Sequence, residues 1–124
     1  MEKVLAIGGL FFRSNDPKKL AKWYRDNLGI NLIPTGADQT PWKQEAGTTA
    51  FAPFAADSDY FGDAKKMWMI NFRVADLDAM VLQLEAVGIK VTKNTDDYSY
   101  GKFARLNDPE GNPIELWQPL DGSD

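Results

Sequence analysis

The sequence predicts an α+β fold built from two tandem βαβββ modules whose sheets curl around a cleft. The stretch FFRSNDPKKLAKWYRDNLGINL (residues 11–32) has a counterpart in NFRVADLDAMVLQLEAVGIKV (residues 71–91) about 60 residues later. Each copy contains Phe-Arg, an Asp three residues after the Arg, a helical stretch, and Gly-Ile before a new strand. After each helix, short strand-like runs flank a turn, which is typical of hairpins. Each copy therefore predicts one strand, one helix and three further strands.

Helix start and stop signals place the two helices. Asp16 is a good N-cap ahead of Pro17, and Gly29 stands where a left-handed residue commonly follows a helix. Asp76 and Gly88 take the same places in the second copy. Apolar side chains recur at helical spacing in both copies: Leu20, Tyr24 and Leu28, then Leu77, Val81 and Leu84. We expect helices over residues 17–28 and 77–87, each burying one apolar stripe against a sheet.

The strands complete a single domain over residues 1–124. In the first module we expect strands at 4–12, 42–45 and 48–54, with a turn at Ala46-Gly47. In the second module we expect a strand at 67–74 and two strands around the turn Asp108-Pro109-Glu110-Gly111, the last at 113–119. Module one then spans about 4–54, a linker 55–66, and module two about 67–119.

Composition excludes several functional classes. The 124 residues contain no histidine and no cysteine, so the usual general base, the commonest metal ligand and any thiolate nucleophile are missing. The net charge is −4 and the 14 basic residues are scattered, which argues against a nucleic-acid or anionic membrane surface. The apolar run near the N-terminus is too short to span a bilayer. We expect a cytoplasmic protein whose partners are small molecules or proteins.

Alternation along the strands predicts which side chains share a face. In residues 67–74 one face is purely apolar and should carry the helix, whereas the other face is mixed. In PIELWQP, Ile114 and Leu116 form the apolar face, so Glu115 and Trp117 point away from the helix. The predicted small-molecule pocket on this second side is lined by Phe11, Arg13, Met69, Asn71, Arg73, Glu115 and Trp117.

Two interpretations of Glu115 follow from its place beside apolar neighbours. Burying a bare carboxylate is costly, so Glu115 either acts in a cavity or pairs with Arg73 or Arg13 inside a semi-polar barrel. Several aromatic side chains could stack a planar ligand or belong to the core. They are Trp42, Phe51, Phe54, Tyr60, Phe61, Tyr98, Tyr100, Phe103 and Trp117. Trp42 and Phe103 are taken as candidate ligand-binding residues.

Three features resemble the vicinal oxygen chelate superfamily: the double βαβββ pattern, the stretch NDPKKLAKWYRDNLGI in the first half, and the stretch DPEGNPIELWQP in the second half. This superfamily includes glyoxalases, bleomycin-resistance proteins and extradiol dioxygenases. The resemblance implies a glyoxalase-like domain with a cleft between modules, commonly completed by a second subunit of a homodimer. It also implies that metal-dependent members draw ligands from the first strand of each module and from a glutamate that Glu115 matches. The corresponding strand positions are Gly9 and Met69, which do not suit a divalent ion.

We therefore predict a glyoxalase- and bleomycin-resistance-like protein that binds a small organic molecule in a cleft, without a metal and without a cofactor. The alternative is a divergent enzyme of the lyase, isomerase or dioxygenase type that uses Glu115 as a general base or metal ligand. An interaction module whose cleft is only a dimer seam is a third option. The sequence leaves open whether the protein is catalytic and which ligand it takes.

Overall fold

The computed structural model describes residues 1–94 and 100–120, which contain two helices and one four-stranded sheet. In chain order the elements are α1 (Pro17–Leu28), β1 (Ile70–Arg73), α2 (Leu77–Ala86), β2 (Thr92–Lys93), β3 (Gly101–Asn107) and β4 (Pro113–Pro119). Neither helix is long and apolar enough to cross a membrane, as judged over the part of the chain that the structure describes. The predicted aromatic Tyr98 lies outside the described residues.

Both predicted helices are confirmed, together with their capping residues. The Asp16 carboxylate accepts a hydrogen bond from the Lys19 backbone N–H at 3.2 Å, and Gly29 follows α1 in the left-handed conformation. The Asp76 carboxylate accepts from the Ala79 backbone N–H at 3.0 Å. Because these signals are local in the chain, they fix each helix start independently of tertiary packing.

The second half of the chain forms a complete βαβββ unit. The strand order is β1-β4-β3-β2, with β1 parallel to β4 and both other pairs antiparallel. The predicted strands at 67–74 and 113–119 therefore lie side by side in one sheet, with Asn71 opposite Glu115 and Arg73 opposite Trp117. This pairing places the middle of β4 at the centre of the sheet.

The turn between β3 and β4 is built around the buried carboxylate of Asp108. The Gly111 N–H donates to the Asp108 carbonyl at 2.9 Å, and Gly111 has φ 80°, as predicted for the residue that closes this turn. One carboxylate oxygen of Asp108 accepts from the backbone N–H groups of Glu110 and Asn112, at 2.8 and 3.0 Å. The other oxygen accepts from the Tyr24 hydroxyl at 2.6 Å and from the Asn112 side chain at 2.8 Å. Asp108 thus joins the hairpin to helix α1.

The core lies between the two helices and one face of the sheet. Ile114 and Leu116 are fully buried, which confirms that this face of β4 carries the helices. The remaining buried apolar side chains of the cluster come from both helices and from β3: Leu20, Tyr24, Leu77, Val81, Leu84, Ala104 and Leu106. The opposite face of the sheet, here called the site face, points away from the helices.

The strands predicted for the first module are not formed. All strands of the described residues lie between Ile70 and Pro119, so residues 4–12, 42–45 and 48–54 contribute no sheet. Apolar side chains in these segments are exposed, including Val4 at 89%, Phe11 at 86% and Phe51 at 87%. A strand needs a neighbour for its backbone hydrogen bonds, and these segments have no strand partner among the described residues. The first half therefore supplies a helix to the core of the second.

Candidate functional site

Two rows of side chains cross the site face. Strand register places Asn71, Glu115 and Arg105 in one row, here called the polar row. The next row, here called the aromatic row, contains Arg73, Trp117 and Phe103. Directly opposed residues of neighbouring strands share a face, so alternation sends these six side chains away from the helices.

Glu115 is the centre of the polar row. Asn71 donates from its side-chain nitrogen to one carboxylate oxygen at 2.7 Å, and the Tyr60 hydroxyl donates to the other oxygen. Because Glu115 is half-buried, water does not fully hydrate its carboxylate. Both carboxylate oxygens have hydrogen-bond partners in the protein instead. The carboxylate is thus held by two neutral donors.

Neither of the arginines considered as partners of Glu115 forms that pair. The Arg73 guanidinium donates to the backbone carbonyls of Glu45 and Ala46, at 2.8 and 3.4 Å. The Arg73 guanidinium lies directly against Gly47, so a side chain at residue 47 would displace it. Arg13 is exposed and lines a separate depression of about 610 Å³. The interpretation that Glu115 pairs with Arg73 or Arg13 is therefore wrong.

Tyr60 covers the polar row, in contact with both Arg105 and Glu115. The Arg105 guanidinium donates to the Tyr60 backbone carbonyl, and its central carbon lies 4.6 Å from the centroid of the Tyr60 ring. A guanidinium at this distance from an aromatic ring is attracted to its π face. Burial and the hydrogen bond to Glu115 raise the pKa of Tyr60 to about 12, although Arg105 acts in the opposite direction. Tyr60 therefore keeps its proton and remains a hydrogen-bond donor at neutral pH.

The aromatic row places two stacked apolar rings on the site face. Trp117 is 9% exposed and donates from its indole nitrogen to the Tyr100 backbone carbonyl at 2.8 Å. The Phe103 ring is nearly parallel to the Trp117 ring, with an interplanar angle of 6° and centroids 6.2 Å apart. The indole is thereby fixed in orientation, and Phe103 is stacked beside it.

The structure brings only some of the predicted site residues together. Asn71, Arg73, Phe103, Glu115 and Trp117 share the site face. Trp42 instead lies edge-on to Phe72, whose side chain packs on the helix-facing core. Phe11 is mostly exposed, and Met69 is a half-buried residue that precedes β1. Ligand contacts by all eight predicted ligand-binding residues stay predictions.

Sequence reasoning missed Arg105 in the polar row and did not single out Tyr60. Arg105 could have been found, because it lies two residues after Phe103 in a strand and therefore shares its face. Tyr60 comes from the segment between the modules, where no periodicity indicates which side chain reaches the sheet. Only the folded chain brings its hydroxyl to Glu115.

The donors around Glu115 do not fit a divalent metal ion. The resemblance places the other ligands of metal-dependent members at Gly9 and Met69, and the side chains that contact Glu115 are the Asn71 amide and the Tyr60 hydroxyl. Within residues 1–94 and 100–120, no three His, Cys, Asp or Glu side chains group closely enough to hold a metal. A hard cation prefers several carboxylate or carbonyl oxygens, and this set offers one carboxylate.

Comparison with known proteins agrees with this fold. A family model described as a glyoxalase-like domain matches residues 9–117. The uncharacterised protein YaeR of Escherichia coli (strain K12) is 34% identical over 67 residues, which are 53% of this chain and 52% of YaeR. The chain therefore matches about half the length of this curated relative.

Two solved structures from Streptomyces sp. CB03234 have the same fold. The antibiotic binding protein TnmS3 is 24% identical with a TM-score of 0.57, covering 94% of this chain and all of TnmS3. A glyoxalase/bleomycin resistance protein is 22% identical with a TM-score of 0.50, covering 84% of this chain and 92% of that protein. At these identities the likeness concerns the fold.

Proposed function

Because the chain belongs to the family of glyoxalase-like domains, we propose that it binds a small organic molecule on the site face of its sheet, without a metal ion. The observation that carries this proposal is the polar row beside the aromatic row. A few fixed polar groups next to aromatic rings are what orients and holds a small ligand. Arg105 and Arg73 add positive charge, whereas Glu115 supplies an acceptor.

Support for a ligand rather than a packing role comes from the chemistry of the polar row. Glu115 and Arg105 face each other across β3 and β4, yet each hydrogen-bonds to Tyr60. The hydrogen bonds of both side chains involve a residue of the linker. The pairing of β3 with β4 therefore depends on backbone hydrogen bonds and core packing, and not on these two side chains. TnmS3, which has the same fold, is described as an antibiotic binding protein, and this favours a binding function here.

The enzymatic alternative gains less from the geometry. A general base must be within reach of the proton it removes and must have a lone pair available for it. Each oxygen of Glu115 accepts one hydrogen bond, from Asn71 or from Tyr60, and keeps a further lone pair, so the lone-pair requirement is met and the case against catalysis depends on the groups around Glu115. The two rows contain no serine, threonine or lysine that Glu115 could activate as a nucleophile, and the Tyr60 hydroxyl keeps its proton and donates it to Glu115 in a hydrogen bond. Binding is therefore the function that the site supports best.

A thermal-shift screen of phenols, aromatic acids and aromatic antibiotics tests the proposal. A ligand that binds only the folded protein stabilises it by about 2.7 kcal/mol at one hundred times its Kd. For a binder on the site face, this stabilisation is expected to shrink when Glu115 is replaced by Gln. A screen in which every stabilising compound is insensitive to Glu115 and Trp117 would contradict the proposal.

We also propose that the chain forms a homodimer, in which the first of the two tandem βαβββ modules is completed. The exposed apolar side chains of residues 4–12 and 48–54 would gain a covering layer and strand partners in a symmetric pair of chains. We expect light scattering at micromolar concentration to give twice the 13.9 kDa chain mass. A replacement of Val4 by Asp should shift that mass toward one chain, whereas a monomeric wild-type protein would contradict the dimer.

A further inference from the structure

Tyr60 occupies the polar row in the way a bound molecule would. Its hydroxyl contacts Glu115 and its ring lies against Arg105. It reaches the sheet from the linker, residues 55–66. Building on the proposed function, we propose that Tyr60 is an internal occupant of the binding site, and that the ligand which displaces it carries a phenol group.

The hydroxyl requirement follows from Glu115. An ionised carboxylate can only accept hydrogen bonds, so each of its oxygens needs a donor. Asn71 serves one oxygen at 2.7 Å, and Tyr60 serves the other. A ligand that removed Tyr60 without supplying a donor would leave a half-buried carboxylate oxygen unpaired, which is unfavourable. A ligand hydroxyl at the same place restores the contact.

The aromatic requirement follows from Arg105. Its guanidinium lies over the Tyr60 ring, so displacement of Tyr60 removes a cation–π contact that only another aromatic ring replaces. The Arg105 Nε is also buried and has no hydrogen-bond partner among the described residues. A phenol with an additional oxygen acceptor would therefore find an unused donor beside the ring.

The protonation state of Tyr60 agrees with this assignment. Its pKa is raised to about 12 by burial and by the neighbouring carboxylate, so the occupant at neutral pH is a neutral phenol. A phenolate at the same place would face the negative charge of Glu115 and lose the donated hydrogen bond. The site face thus selects the protonated form of a phenol.

The test uses the small probes 4-methylphenol and 4-methylanisole with the Tyr60→Ala variant. 4-Methylphenol reproduces the tyrosine side chain, and 4-methylanisole has the same ring with the hydroxyl hydrogen replaced by a methyl group. We expect 4-methylphenol to bind Tyr60→Ala at least about tenfold more tightly than the wild-type chain, measured by NMR titration. The anisole should gain much less, and adding Glu115→Gln to Tyr60→Ala should remove most of the gain.

Phe61→Ala is the matched control, because it removes an aromatic side chain from the same segment and leaves Tyr60 in place. Its affinity for 4-methylphenol should equal that of the wild-type chain. If Tyr60→Ala does not fold, Tyr60→Leu takes its place, because leucine keeps an apolar side chain but has neither the ring nor the hydroxyl of tyrosine.

Three results would overturn the inference. They are equal binding of 4-methylphenol to the wild type and the Tyr60 variants, equal gains for the phenol and the anisole, and no effect of Glu115→Gln. A molecule that binds through Glu115 and Trp117 while Tyr60→Phe changes nothing would overturn the phenol assignment but leave the proposed function standing. Failure of all site-face substitutions to affect any ligand would instead overturn the proposed function.

Discussion

Replacing Asp108 with alanine is expected to lower the free energy of unfolding by about 3 kcal/mol. The Asp108 side chain accepts four hydrogen bonds while the residue is only 4% exposed. Alanine would leave the Tyr24 hydroxyl and two backbone N–H groups without an acceptor, and water has little access to them. Urea unfolding followed by tryptophan fluorescence measures the change.

Matched variants separate the contributions to this effect. Asp108→Asn keeps one acceptor oxygen for the turn and is expected to cost less than alanine, whereas Tyr24→Phe removes one buried hydrogen bond and should cost about 1 kcal/mol. If Tyr24 and Asp108 act through their mutual bond, the double variant Tyr24→Phe with Asp108→Asn should cost less than the sum of the single changes. A loss below about 1 kcal/mol for Asp108→Ala would contradict the account of the turn.

The same contact predicts how stability responds to alkaline pH. Burial, followed by the hydrogen bond to Asp108, raises the pKa of Tyr24 above its usual value of 10.0. For an acid whose pKa is raised on folding, the unfolded chain loses its proton first, so unfolding becomes easier as the pH rises. The contribution of Tyr24 should therefore be complete below about pH 10 and decline above it, and Tyr24→Phe should remove that decline.

Glu115→Gln is expected to weaken ligand binding by about tenfold or more while changing stability by less than about 1 kcal/mol. Glutamine retains an oxygen for Asn71 but places an NH₂ group where the second carboxylate oxygen accepts a hydrogen bond. Because Glu115 is half-buried on the site face and outside the core cluster, the fold depends little on it. Calorimetric titration of a binder from the thermal-shift screen measures the affinity.

Glu110→Gln is the matched control for this substitution. Glu110 accepts hydrogen bonds from the Ser14 hydroxyl and from the backbone N–H groups of Asn15 and Asp16, at 2.7, 2.8 and 3.2 Å. These bonds hold the entrance to α1 and lower the pKa of Glu110. We expect Glu110→Gln to affect stability and leave affinity unchanged. Equal affinities of Glu115→Gln and wild type would contradict the assigned role of Glu115.

The features that the sequence predicts correctly depend on local signals. Asp16, Asp76 and Gly29 cap helices through contacts within a few residues, and Gly111 closes a turn of four residues. Alternation along β4 likewise assigns Glu115 to the face opposite the helices. Such patterns are visible in one chain because the interacting groups are close in sequence.

The features that the sequence misses depend on long-range contacts. Tyr60 meets Glu115 across 55 positions of the chain, and Arg73 reaches the carbonyl of Glu45 across 28. The strands predicted for residues 4–12 and 48–54 carry suitable patterns, but strand formation also requires a pairing partner that a pattern does not supply. The repeat in the sequence therefore predicts both helices correctly and only one of the two sheets.

Two tryptophans distinguish the site face from the other side of the molecule. Trp117 lies in the aromatic row, with its indole N–H 2.8 Å from the Tyr100 carbonyl. Trp23 lies on α1 and lines an open groove of about 420 Å³ together with Ile89, Lys90 and, at the edge shared with the polar row, Arg105. Each indole N–H gives a separate signal in a proton–nitrogen NMR spectrum, so these two signals locate a bound molecule.

The central claim is that the site face binds the ligand, and titration of a screened binder into ¹⁵N-labelled protein tests it most directly. The account predicts that the Trp117 indole signal shifts in a saturable way while the Trp23 signal stays in place, and that Glu115→Gln requires more ligand for the same shift. A saturable shift of Trp23 with an unchanged Trp117 signal would contradict it.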